Sequence, residues 1–263
     1  MVFIEQYITQ YPVWVLGVVF SLFAGLATGI GALPIFFTRN ISVKLQDIFM
    51  GFGAGVMLAA TSFSLIVPGL EAAGNGIKAA VIIVLGILFG GLFLWFIDKV
   101  LPHEHFIKGH EGIDLVKLKR LWLFIIAITL HNFPEGLAVG VGFGGGDIAN
   151  GITLAIGIAL QNMPEGLVVA LALFAHKYSL KKSFLIALAT GLVEPVGGLL
   201  GAGIVSVFTI LLPWGLAFAA GAMLFVISDE IIPESHRREF AKQATFGLMI
   251  GFVIMLFLDV VLG

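Results

Sequence analysis

The chain contains no cysteine, which excludes disulfides, thiolate metal sites and a cysteine nucleophile. It is also short of charge. Charged residues make up 11% of its 263 positions, less than half the roughly 25% of a soluble domain. A water-facing surface cannot be built from so few. The formal net charge is −2, so there is no basic field for nucleic acid and none is expected as a partner.

What fills the chain instead is apolar, at 59% hydrophobic residues. Runs long enough to cross hydrocarbon recur from end to end, which makes lipid the solvent. A transmembrane β-barrel would alternate apolar and polar residues in segments of about ten, whereas these runs are continuous. The expected fold is all-α, an eight-helix transmembrane bundle with inverted-repeat character. Residues 1–263 form a single polytopic domain with one long loop at about 98–120. The spans fall near 13–37, 48–70, 77–96, 121–143, 148–175, 184–208, 214–231 and 244–262, the sixth and seventh separated by a tight turn near Pro213. The first run lacks the basic region and cleavage site of a signal peptide and is read as a retained helix.

The basic residues orient these spans. Arg39 and Lys44, then Lys99, Lys108, Lys117, Lys119 and Arg120, then Lys177, Lys181 and Lys182, then Arg237, Arg238 and Lys242 fall in alternate loops, leaving only Lys78 on the other side. Lys and Arg gather on the cytoplasmic face. The expectation is a multi-pass protein of the cell (inner) membrane, with both termini outside the cytoplasm and the long loop inside. Glycine is abundant, at 34 residues. Small residues let membrane helices approach closely, and Gly25, Gly29 and Gly31 in the first span and Gly191, Gly197, Gly198, Gly201 and Gly203 in the sixth suit that use or a sliding surface.

Ionisable groups inside spans are costly and mark functional sites. Glu135, Glu165 and Glu194 lie well within apolar runs that hold no Lys or Arg, so protons or bound cations must neutralise them. Their neighbours favour cations. His131-Asn132-Phe133-Pro134-Glu135-Gly136 in span four and Gln161-Asn162-Met163-Pro164-Glu165-Gly166 in span five share the pattern x-Asn-x-Pro-Glu-Gly. Adjacent spans run antiparallel, so the two motifs are related by a pseudo-two-fold axis in the membrane plane. That arrangement places a transporter's site at the midplane between broken helices. His131 and Glu135 are i, i+4 and share a helix face, as do Gln161 or Asn162 and Glu165. Each proline removes the amide that would bond the carbonyl four residues back, at Leu130 and Leu160. Glu194-Pro195 repeats the pairing in span six. Imidazole, carboxylates and amide oxygens suit zinc, cadmium, iron or manganese, and the lack of thiolate argues against copper(I). The blander reading, interhelical hydrogen bonds, does not account for three glutamates without a basic partner.

At these residues the chain resembles the ZIP metal transporters, on their prokaryotic GufA-like branch. The resemblance extends through GFGAGVMLAATSFSLIVPGLEAAG, LPHEHFIKGHEG, GLVEPVG and ISDEIIPESH, and so covers nearly the whole chain. It implies two adjacent metal sites. His131, Gln161, Glu165, Glu194 and Glu135 would form the transport site; Asn132, Glu135, Asn162, Glu165 and Glu194 would form the second. It further implies movement of metal toward the cytoplasm, with spans one, four, five and six moving against the other four. Asn162 departs from the pattern, since relatives often carry Asp there. A neutral amide in place of a carboxylate weakens the second site.

Residues toward either mouth are candidates for the path: Met57 and Ser64 on one face of span two and Glu71 at its outer end, His103 and His105 with Glu104, His110 and Glu111 in the cytoplasmic loop, and Asp229 and Glu230 with Glu234 and His236 at the inner end of span seven. Met57 and Ser64 suit packing equally well. Asp259 and His176 read as interfacial. The expected activity is carriage of divalent metal, zinc or cadmium bound as cargo, with no resident cofactor and no enzymatic role. The rivals are an intramembrane metallo-hydrolase, a passive channel and a proton-coupled carrier of another solute. The oligomeric state is left open between monomer and homodimer.

Overall fold

The computed structural model of the chain describes residues 9–38, 41–100, 103–105, 109–111 and 120–262. Eight helices long and apolar enough to cross a membrane succeed one another: α1 (Val13–Phe36), α2 (Val43–Ala73), α3 (Ile77–Val100), α4 (Arg120–Gly144), α5 (Ile148–Ala175), α6 (Leu180–Val207), α7 (Thr209–Ser235) and α8 (Ala241–Leu262). The fold is the expected all-α bundle. The exception is a hairpin of β1 (His103–His105) and β2 (Gly109–Glu111), in which His103 pairs with Glu111 and Glu104 with His110.

Local chemistry sets the helix ends. Ser42, Asp147 and Ser179 cap α2, α5 and α6, each side chain accepting a backbone N–H of the first turn, which satisfies one of the helix's orphan donors. Gly74 and Gly76 turn the chain between α2 and α3 at φ +86° and +84°, a region open to glycine at little cost. Span α2 begins at Val43 rather than at the apolar run's edge near Ile48. Its first turns carry Asp47, which is buried and bonded to Arg238 at 3.2 Å. The α6–α7 turn lies at Phe208, and Pro213 sits inside the first turn of the following helix, where its missing N–H costs nothing.

The helices sort into two groups. α1, α4, α5 and α6 pack on one another, while α8 packs on α2, and α7 on α3 and on the C-terminal half of α2. Glycines make the contacts within each group backbone to backbone. A Cβ on Gly25 would collide with the Gly191 carbonyl, on Gly166 with Thr28, on Gly136 with Glu194, and on Gly140 with Gly198. In the other group the same holds for Gly51 against Ala244, Gly251 against Phe52 and Gly221 against Ile87. Where α4 and α5 meet α2, α7 and α8, the glycines behave differently. Gly145, Gly157 and Gly215 face the side chains of Leu212, Met255 and Val141, and Gly53 meets Gln161 at ordinary van der Waals distance. Two apolar grooves follow this seam. One, of about 700 Å³, is walled by Phe93, Val141, Ile204 and Trp214; the other, of about 540 Å³, by Pro34, Phe52, Leu167 and Ile250. The backbone-to-backbone glycine contacts thus lie within each group, and the glycines at the seam meet side chains.

Candidate metal site

The two proline motifs do not break their helices. α4 runs continuously through Pro134 and α5 through Pro164, because one missing hydrogen bond is tolerated where neighbouring helices support the backbone. The break falls instead in α6, which is helical over Leu180–Gly191 and again over Glu194–Val207. Glu194 is therefore the first residue of a half-helix, and its carboxylate lies at the positive end of that helix dipole.

Asn132, Glu135, Gln161, Asn162 and Glu194 are all buried, as is His131, and Glu165 is partly so. Glu135 lies within electrostatic range of Glu165 and Glu194. The structure thus gathers the three interior glutamates that the sequence placed on three separate spans. The side-chain atoms of Asn132, both oxygens of Glu135, Oε1 of Glu165 and Oε2 of Glu194 are buried and accept or donate no hydrogen bond within the protein, among the described residues. Buried polar atoms are normally paired, so this set is chemically suited to a cation.

Other donors are engaged. Asn162 Nδ2 donates to Glu194 Oε1 at 2.6 Å and to the Ala24 carbonyl at 2.9 Å. Its Oδ1 accepts from Gln161 Nε2 at 2.7 Å. With two acceptors before it, the amide nitrogen must face them, so Asn162 ties α5 to α1 and α6. His131 Nε2 and Glu230 Oε1 are 2.5 Å apart. Glu230 thus belongs beside His131 and brings a fourth carboxylate to the interior, from α7. Among the described residues no three imidazole and carboxylate groups converge as a closed metal centre; His131 is paired with Glu230 and one oxygen of Glu194 with Asn162.

A cavity of about 60 Å³ reaches His131, Gln161 and Glu165 from between Phe49, Met50 and Gly53 of α2 and Glu234 of α7. Asp229 is partly exposed and Glu234 bonds Arg237 at 2.9 Å. Met57 is fully buried in the apolar core, its carbonyl accepting from Thr61 at 2.7 Å. Glu71 is exposed at the end of α2. The side chains of His103 and His105, like those of the rest of that loop, lie outside the described residues. Two further residues make contacts that sequence reading did not assign. Asp259, taken as interfacial, accepts the Ser64 hydroxyl at 2.6 Å. Asn150, passed over, donates to the Ser64 carbonyl at 3.1 Å. Polar residues near helix ends carry no signal of their own.

Comparison with known proteins bears on this geometry. The family model described as ZIP zinc transporter matches residues 107–259. The chain is 51% identical to the zinc transporter GufA of Myxococcus xanthus over 251 residues, covering 94% of this chain and 99% of that one. It is 48% identical to the zinc transporter ZIPB of Bordetella bronchiseptica over 241 residues, covering 90% and 78%. It is 33% identical to the human zinc transporter ZIP11 over 321 residues, covering 90% and 94%. With the paired proline-glutamate motifs, the eight spans and the gathered carboxylates, these matches establish that the chain belongs to the ZIP family, on its GufA-like branch.

Proposed function

We propose that the chain carries zinc across the cell membrane into the cytoplasm, through a site built from His131, Asn132, Glu135, Gln161, Glu165 and Glu194. The observation that carries this reading is the gathering of buried carboxylates with no Lys or Arg among them, several of their oxygens lacking a protein partner. The names of its relatives support zinc as the cargo, and cadmium shares zinc's ligand preferences. Carboxylates and imidazole bind such ions once deprotonated, and neutral amides add their carbonyl oxygens. The cavity at His131 has room for a few waters and none for an organic solute, which disfavours a carrier of larger molecules. A hydrolase would need that same room for its substrate.

Transport proceeds by movement of α1, α4, α5 and α6 against α2, α3, α7 and α8. The glycine contacts inside each group and the grooves between them support this division. The one-sided distribution of Lys and Arg supports an orientation with both termini outside. In that orientation the cavity beside Met50 and Glu234 faces the cytoplasm and is the exit. Asn162 holds Glu194 by its amide, so one ion binds tightly and the second position binds weakly. Uptake of zinc, cadmium, iron, manganese and cobalt into proteoliposomes, with and without a pH gradient, tests the proposal. Saturable zinc and cadmium uptake is expected, and a protein that moves none of the five ions refutes it.

A further inference from the structure

Among the described residues, polar contacts cross the seam between the two helix groups. One joins His131 of α4 to Glu230 of α7; another joins Asn150 of α5 to the carbonyl of Ser64 in α2. A repeat in the sequence relates them. Ala54-Gly55-Val56-Met57-Leu58 in α2 matches Ala220-Gly221-Ala222-Met223-Leu224 in α7. Each run leads into a stretch of π-helix, Ala60–Ile66 or Ile227–Ile231, and then into a proline, Pro68 or Pro233. Ser64 and Glu230 each stand ten residues past the shared alanine. Wide turns of this kind are frequent at functional sites, and here each reaches across the seam at the equivalent position, toward opposite ends of the bundle.

At Glu230 the reach is made by a side chain. At Ser64 it is made by the backbone. Pro68 has no N–H to give the Ser64 carbonyl four residues earlier, and an unpaired carbonyl at membrane depth is costly. Asn150 supplies a donor from the facing helix. Both partners are anchored to their own group. The Ser64 hydroxyl is committed to Asp259 of α8 at 2.6 Å. The backbone N–H of Asn150 donates to the Asp147 carboxylate at 3.0 Å, in the capped first turn of α5. Asn150 itself is only 7% exposed.

We propose that Asn150 is a positioning residue that holds the outer mouth of the seam shut, while the His131–Glu230 contact bridges the same seam nearer the inner mouth. The inference rests on the two-group movement proposed above. When α5 moves, the bond to Ser64 breaks, and water entering the outer mouth takes both groups. The bond therefore biases the population toward the state closed on the outside, and removing it favours the outward-open state.

The absence of cysteine makes the test clean, because Val56→Cys installs a single thiol. Val56 is buried and faces Gly157 of α5 across the seam. The full chain is reconstituted in proteoliposomes and labelled with a membrane-impermeant maleimide from the outside. Adding Asn150→Ala raises the labelling rate about two- to tenfold, the equivalent of one net hydrogen bond. The isosteric Asn150→Asp, which when ionised cannot donate, does the same and guards against a folding defect in the first variant. The KM for external zinc falls in both, because the outward-open fraction rises; a merely structural role would lower the maximal rate alone. Labelling rates equal to the reference in both folded variants overturn the proposal. If external zinc leaves the Val56→Cys labelling rate unchanged in a chain that transports zinc, the two-group reading itself fails and takes this inference with it.

Discussion

Replacing Asn162 by aspartate tests how the amide decides metal stoichiometry. In the native chain Nδ2 lies 2.6 Å from Glu194 Oε1. Asn162→Asp puts a carboxylate oxygen in that place. Two full charges at 2.6 Å repel by about 6 kcal/mol at an effective dielectric of about 20. Keeping one carboxyl protonated at neutral pH costs about 4 kcal/mol from an ordinary carboxylate. The repulsion is the larger, so in the absence of metal the pair holds one proton between them. The Ala24 carbonyl then loses its donor, at a cost of about 1–3 kcal/mol. A second divalent ion displaces the proton and neutralises both carboxylates. The expected outcome is about one tightly held zinc in the wild type, rising toward two in Asn162→Asp. The metal-free variant melts lower than the wild type and gains more from added zinc. Elemental analysis after gel filtration and thermal unfolding with and without zinc read both quantities. Two equally tight zinc ions in the wild type, unchanged by the substitution, would refute the reasoning.

Two further outcomes follow from the same geometry. Glu230→Gln removes the carboxylate that holds His131 across the seam; zinc uptake falls about tenfold, the equivalent of one charged hydrogen bond, while equilibrium zinc binding changes little. Uptake and calorimetry measured on one preparation check this, and loss of binding would place Glu230 among the ligands. Because the ligands bind metal deprotonated, zinc binding weakens as pH falls and releases protons. Calorimetry in buffers of different ionisation enthalpy shows a buffer-dependent heat, and identical heats in all buffers would contradict it.

The spans were legible because lipid demands long uncharged runs, and α5 was read to its observed limits. The start of α2 was not, because Asp47 looks like a loop residue until Arg238 is brought to it from the far end of the chain. The three interior glutamates were legible from burial cost alone. Their proline motifs pointed to broken helices in α4 and α5, but tertiary support kept those helices whole, and the break falls at Leu192–Val193 in α6, just before Pro195, which has no N–H for the Gly191 carbonyl. The pairing of His131 with Glu230 and of Asn150 with Ser64 depends on how α4 and α5 seat against α2 and α7. Periodicity within one helix carries no information about that contact.

The central claim is that buried carboxylates on α4 and α5 bear the ion. Its most direct test is zinc uptake into proteoliposomes by the double variant Glu135→Gln, Glu165→Gln, which keeps size and shape while removing two of the interior charges. The account predicts uptake reduced to the level of protein-free liposomes, by a protein that is monodisperse and inserted like the wild type. Uptake at the wild-type rate from that folded variant would contradict it.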